Sequence, residues 1–215
     1  MHYAFQDRDN LFLVMDLLLG GDLRYHIARQ RRFTEEQTKF FIACLVQALE
    51  SVHGCGIIHR DIKPENLVFE QDGYLRLTDF GIARYWSPDN ASETSGTPGY
   101  MAPEVMCRQN HGVAADYFAV GVIAYECMNG RRPYVGKSRR EIRDQILARQ
   151  VHIKRYEIPE GWSLESADFI NKVILFYLTL IVSVTQAIEP LGSERELGSE
   201  SAPVVSDLLL AGPHR

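Results

Sequence analysis

"IIHRDIKPENLVF", residues 57–69, sets His59, Arg60, Asp61, Lys63, Glu65 and Asn66 between the apolar runs Ile57-Ile58 and Leu67-Val68-Phe69. Short apolar runs of this kind read as buried strands. A polar loop clamped between buried flanks is rigid, and rigid polar loops suit chemistry. The stretch therefore predicts two short strands with a candidate site between them.

Working outward, "LVFE", the turn "QDG" and "YLRLTDF" over 67–80 predict a strand hairpin, with Leu75 and Leu77 on one face. Upstream, Thr34-Glu35-Glu36-Gln37 has the T-x-x-Q form of a capping box. Behind it Phe41, Cys44, Leu45, Ala48, Leu49 and Val52 recur at helical spacing, and His53-Gly54 ends the helix. "VAADYFAVGVIAYECM", 113–128, is apolar nearly all round and predicts a helix through the core. Ser138-Arg139-Arg140-Glu141 predicts a second capping box, opening a more polar helix with Ile142, Ile146 and Leu147 inward.

At the N-terminal end, "HYAFQD" and "LFLVMDLLL" are short strand candidates around the turn Asp7-Arg8-Asp9-Asn10, and "GGD" at 20–22 leads into a short helix. The expected class is α+β, a mostly helical body with a small sheet at one end. The chain divides into residues 1–24, a hairpin and its exit, a body over 25–172, and a divergent 173–215.

Composition limits function. Hydrophobic content of 46% and charged content of 24% suit an ordinary globule. A formal charge of −5 argues against a general nucleic-acid binder and leaves room for a basic partner. Cys44, Cys55, Cys107 and Cys127 form no CxxC pair, so reduced thiols and a cytoplasmic setting, with the nucleus also open, are expected. No charged start followed by an apolar run suggests a signal peptide. Residues 173–184 are apolar but shorter than the roughly 20 residues of a membrane span. They are expected to be a buried or aggregation-prone helix, followed over 189–215 by a Gly-, Ser-, Glu- and Pro-rich disordered tail.

His59-Arg60-Asp61 with Asn66, then Asp79-Phe80-Gly81, then Ala102-Pro103-Glu104 recur in one order and in the expected contexts, joined by Gly96-Thr97-Pro98 and Asp116. Any one triplet alone is weak; together they are specific. Over about residues 2–172 the sequence resembles the eukaryotic protein kinases. "HRDIKPEN" and "GTPGYMAPE" look like the serine/threonine branch, closest to the cyclic-nucleotide-dependent and related basophilic kinases. The fold implied is a kinase large lobe (17–172) with a remnant of the small-lobe sheet (1–16).

The resemblance implies transfer of the ATP γ-phosphoryl to Ser or Thr, with ATP and Mg²⁺ as cofactors. Asp61 would accept the hydroxyl proton, Lys63 would steady the phosphoryl, and Thr97 would hydrogen-bond both. Asn66 and Asp79 would supply hard oxygen ligands to magnesium. For a lone Asp the plainer reading is a turn or cap residue. At the adenine end, Met15 falls at the gatekeeper, Asp16 and Leu18 at the hinge, Leu23 and Val68 on the apolar floor, and Asp22 beside the ribose. Asp22, Glu65 and Glu126 also match carboxylates that bind substrate arginines, implying monomeric action on proteins with Arg or Lys near the target. The plainer reading for Glu65 and Glu126 is a structural or solvated role. Arg60 would await a negative group on the activation segment, where Glu93 stands in a phosphothreonine position and Thr94 follows.

Three family parts have no match: a Gly-rich loop over the phosphates, its partner lysine, and the glutamate that holds that lysine. Weak nucleotide binding is expected. The alternative is a catalytically silent kinase-like module that binds partners through the large lobe. The arginine that would pair with Glu104 has no evident counterpart either.

Overall fold

The computed structural model describes residues 2–149 and 151–174. The expectations for 175–215 lie outside those residues. The N-terminal hairpin pairs β1 (Tyr3–Gln6) with β2 (Leu11–Val14), antiparallel, with Tyr3 opposite Val14 and Gln6 opposite Leu11. Asp7 Oδ1 accepts from the Asp9 and Asn10 backbone N–H groups at 2.8 and 2.7 Å and shapes the turn. Both strands are exposed along their length, and Phe5 and Phe12 stack across them at 5.0 Å.

The "GGD" stretch does more than interrupt an apolar run. Gly20 donates to Phe69 O at 3.0 Å, and Phe69 N donates to Gly21 O at 2.9 Å. This backbone adds an edge to the hairpin of β4 (Leu67–Phe69) and β5 (Leu75–Leu77). A Cβ at Gly20 would sit 2.5 Å from Phe69 O, so only glycine allows the approach. Asp22 then caps α1 (Leu23–Gln30), accepting from Tyr25 N at 2.7 Å. Such a cap contributes about 1 kcal/mol.

Helix α2 (Glu35–Gly54) opens on the reciprocal Thr34–Gln37 box, with bonds of 3.2 and 3.0 Å. Its buried stripe is Thr38, Ile42, Leu45, Val46 and Leu49. Ile42 and Val46 replace the expected Phe41, Cys44, Ala48 and Val52, which are only partly buried. The stripe is turned by about one residue relative to that expectation, and α4 (Ala114–Asn129) and β5 both pack on the helix. Helix α4 is buried all round, as its composition dictates; Phe118, Val122, Ile123, Cys127 and Met128 are wholly inaccessible. Each large side chain so placed contributes about 1.5–3 kcal/mol. The structure describes a helix α6 over 164–174; a Cβ at Gly121 would meet Ile174 Cγ1 at 2.8 Å, so α4 and α6 pack closely there.

Helix α3 (Pro103–Met106) is a single buried turn, and α5 (Arg139–Ala148) follows α4. Two expectations for α5 are corrected. Ser138 accepts from Glu141 N at 3.2 Å, but Glu141 reaches back to Lys137 N at 2.8 Å, so the box is half formed. Leu147 is 55% exposed; Ile142 and Ile146 alone of the three point inward. A ten-residue surface helix needs only that narrow stripe. The last pair, β3 (Ile57–Ile58) with β6 (Arg84–Tyr85), joins the two ends of the segment carrying the polar loop.

Candidate active site

The loop after β3 is held from below by Asp116, in the first turn of α4. Asp116 is 1% exposed and accepts from His59 N at 2.9 Å, Arg60 N at 2.8 Å and His53 Nε2 at 2.9 Å. Three donors offset the cost of burying the carboxylate. They also hold Arg60 at φ +71°, a left-handed conformation costly for a residue with a Cβ. His59 is fully buried and its pKa is lowered by that burial. The neutral ring donates from Nε2 to Thr78 O at 3.1 Å, and Nδ1 accepts from Asp61 N at 3.3 Å.

Asp61 is the centre of the site. Its Oδ1 accepts from Thr97 N at 3.1 Å and Thr97 Oγ1 at 2.7 Å. Its Oδ2 accepts from Lys63 Nζ at 2.6 Å and Asn66 Nδ2 at 3.3 Å. Lys63 Nζ also donates to Thr97 Oγ1 at 3.2 Å. Burial works against the charge on Asp61, but the bonds from Lys63 and Thr97 outweigh it and lower the pKa. Thr97 arrives from a separate segment. Gly96, at φ +127°, makes this possible, because a Cβ there would lie 2.7 Å from Arg60 O.

Asn66 ends a 3₁₀ turn, Pro64–Asn66, and donates to Asp61 O at 2.9 Å. Its carboxamide oxygen accepts no hydrogen bond among the described residues. Thr78 donates twice to Asn66 O, at 2.9 Å from N and 3.1 Å from Oγ1. Asp79 comes next, exposed, at φ +64°, with Oδ1 accepting from Gly81 N at 3.1 Å. The Thr78 bonds thus tie the backbone just before Asp79 to that of Asn66. A free carboxamide oxygen and an open carboxylate are the hard oxygens magnesium takes. Among the described residues no group of three or more His, Cys, Asp or Glu side chains is arranged to hold a metal.

The other expected residues spread over two surfaces. Asp22 bridges to Val68 through backbone pairing, and Leu23 lies beneath them, fully buried. Met15 is 64% exposed, Leu18 partly buried, and Asp16 pairs with His2 at 2.8 Å on the open face of the hairpin. Arg60 Nε donates to Ile82 O at 2.8 Å, and its guanidinium pairs with Glu93. Thr94 O accepts from Arg139 Nη2 at 3.0 Å.

Glu65 and Glu126 come together around one guanidinium, that of Arg24 in α1. Arg24 Nε donates to Glu65 Oε1 at 2.9 Å, while Nη1 and Nη2 reach the two Glu126 oxygens at 2.8 and 3.2 Å. Arg24, Tyr100, His53 and the structural part played by Asp116 were not anticipated as parts of the site. The partners of Arg24 lie 41 and 102 positions away, so no local pattern exposes the pairing.

This assembly, a buried aspartate bonded to lysine and threonine beside an Asn and a loop-borne Asp, is that of a phosphotransfer domain. A family model described as "Protein kinase domain" matches residues 1–189, and the chain belongs to the protein kinase family, on its serine/threonine branch. It is 41% identical over 167 residues to human ribosomal protein S6 kinase alpha-3, covering 76% of this chain and 22% of that protein. It is 40% identical over 172 residues to a Caenorhabditis elegans protein named putative ribosomal protein S6 kinase alpha-1, covering 79% and 22%. For Xenopus laevis ribosomal protein S6 kinase 2 beta the identity is 40% over 171 residues, covering 79% and 27%. The chain thus spans about a quarter of the length of these relatives. No helix among the described residues is long and apolar enough to cross a membrane.

Proposed function

We propose that this chain carries the large-lobe catalytic machinery of an ATP-dependent serine/threonine protein kinase. The observation that carries the reading is the Asp61 carboxylate, kept ionised by Lys63 and Thr97 at the mouth of a polar loop. A Ser or Thr hydroxyl set against Asp61 gives up its proton to the carboxylate as its oxygen bonds to the γ-phosphorus. The bond from that phosphorus to the β-phosphate oxygen breaks, and ADP leaves. Lys63, 21% exposed, offers positive charge to the transferring group. Asn66 and Asp79 would hold magnesium, which when bound neutralises charge on the phosphates. Asp22, Leu23 and Val68 would form the nucleotide floor, with Met15, Asp16 and Leu18 on the hinge side.

Glu93 supports a regulatory reading. It already occupies Arg60, so the activation segment is held by a fixed carboxylate without phosphorylation of Thr94. A preference for basic residues near the target rests on Asp22 and on Glu65, whose side chain is 44% exposed.

The open hinge side favours a second reading, a silent binding module, because Met15 and the apolar β1–β2 face have no cover among the described residues. A Mg·ATP thermal-shift measurement paired with phosphotransfer to an arginine-containing serine peptide separates the two. A shift together with transfer is expected; peptide binding with neither leaves the silent module.

A further inference from the structure

Arg24 occupies a position that an incoming substrate would be expected to use. All three guanidinium nitrogens are committed: Nε to Glu65, the Nη pair as a fork on Glu126, and Nη2 also to Tyr100 Oη. Glu126 is 4% exposed, buried in α4, and Tyr100 also donates to it. Glu65 sits in the loop four residues after Asp61. Tyr100, bonded to both Arg24 and Glu126, lines one cavity with Asp61 and Thr97, and the geometry of the acidic pair is that of a guanidinium receptor. The guanidinium in it comes from the same chain, and it leaves the pair with one net negative charge instead of two. The burial of Arg24 opposes its charge, yet the bonds to Glu126 and Glu65 and the neighbouring Tyr100 raise its pKa, so it stays charged at any working pH.

We propose that Arg24 is a built-in occupant of this acidic receptor and a specificity-determining residue: it closes the Glu126 subsite to substrate arginines and leaves that position to uncharged side chains. This deepens the kinase reading and rests on its placement of the substrate beside Asp61. A substrate arginine gains the Glu126 fork only by expelling a tethered competitor whose effective concentration is about millimolar or higher. Lysine would not reproduce the arrangement, because an ammonium cannot span both carboxylates with a planar fork.

The test measures binding of serine peptides by fluorescence anisotropy, with arginine or its uncharged analogue citrulline placed in turn at each position near the serine. In the native chain, Glu126→Gln is expected to leave every arginine-to-citrulline affinity ratio unchanged within about threefold. In Arg24→Met, one position is expected to acquire an arginine preference of tenfold or more, lost again in Arg24→Met/Glu126→Gln. A native chain whose arginine preference falls on Glu126→Gln overturns the proposal, since substrate would then already read Glu126. So does a folded Arg24→Met with an unaltered profile, or a native chain that binds no peptide. The Glu126→Gln arm keeps the test decisive if Arg24→Met fails to fold around its unpaired glutamate. Binding needs no phosphotransfer, so a changed profile without catalysis would sink the kinase reading and spare this one.

Discussion

Asp61 and Glu104 are both carboxylates drawn out of water, and the structure treats them in opposite ways. Asp61 receives four donors and its pKa falls. Glu104, in the buried turn α3, is 6% exposed, its Oε2 finds no hydrogen-bond partner among the described residues, and burial raises its pKa from 4.5 to about 7. Asp116, buried more deeply than either, is satisfied by three donors. Depth alone therefore does not decide the state of an acid; the donors that the fold delivers to it do.

The largest test of this contrast is Asp61→Asn. Phosphotransfer should drop about 10²–10⁴-fold, because asparagine cannot take the proton, and thermal stability should fall as well, because the amide forgoes the charge that four donors stabilise. A variant that retains its rate would remove Asp61 from the chemistry. Asp116→Ala comes next. It strips acceptors from the backbone N–H groups of His59 and Arg60 and should cost about 3 kcal/mol in urea unfolding.

Glu104→Gln should act in the opposite direction. Because its folded pKa lies above the unfolded 4.5, the native chain loses stability as pH rises from about 4.5 to about 7. The glutamine variant should be more stable by about 2–3 kcal/mol at pH 8, with the difference gone near pH 4. Denaturant midpoints at the two pH values check this; equal midpoints at pH 8 would mean that Glu104 is better solvated than its burial suggests. Asp61 has the reverse sign: its contribution is present above the ordinary 3.8 and is lost only on acidification below it.

Glu93→Gln is the smallest. With its side chain 41% exposed, the pair with Arg60 contributes at most about 1 kcal/mol to global stability. Its effect should appear locally, as faster amide exchange over residues 90–97, and unchanged exchange there would detach Glu93 from the ordering of the segment.

Much of the site was legible because it is written locally. The clamped loop 57–69, the Thr34 box and the all-apolar 113–128 each carry their signal within a few turns of chain, where spacing and capping chemistry act. The Thr97 bonds to Asp61 and Lys63 were anticipated only through family resemblance, and the structure shows both. The rotation of the α2 stripe toward Ile42 and Val46 was not legible, since every third or fourth residue there is apolar and only the neighbours choose among them. Leu147 was misplaced for the same reason.

By itself the sequence determined the family, the order of the elements and which residues could do chemistry, because strand clamps, caps and signature loops are short-range patterns. Only the tertiary structure decided which acids are matched and which are not: Arg24 reaches across 102 positions to Glu126, Arg60 meets Glu93, and Glu104 Oε2 meets no hydrogen-bond partner among the described residues. A charge cannot announce its partner along the chain, since pairing depends on where packing of the core brings the two backbones, and that is settled by all the buried residues at once.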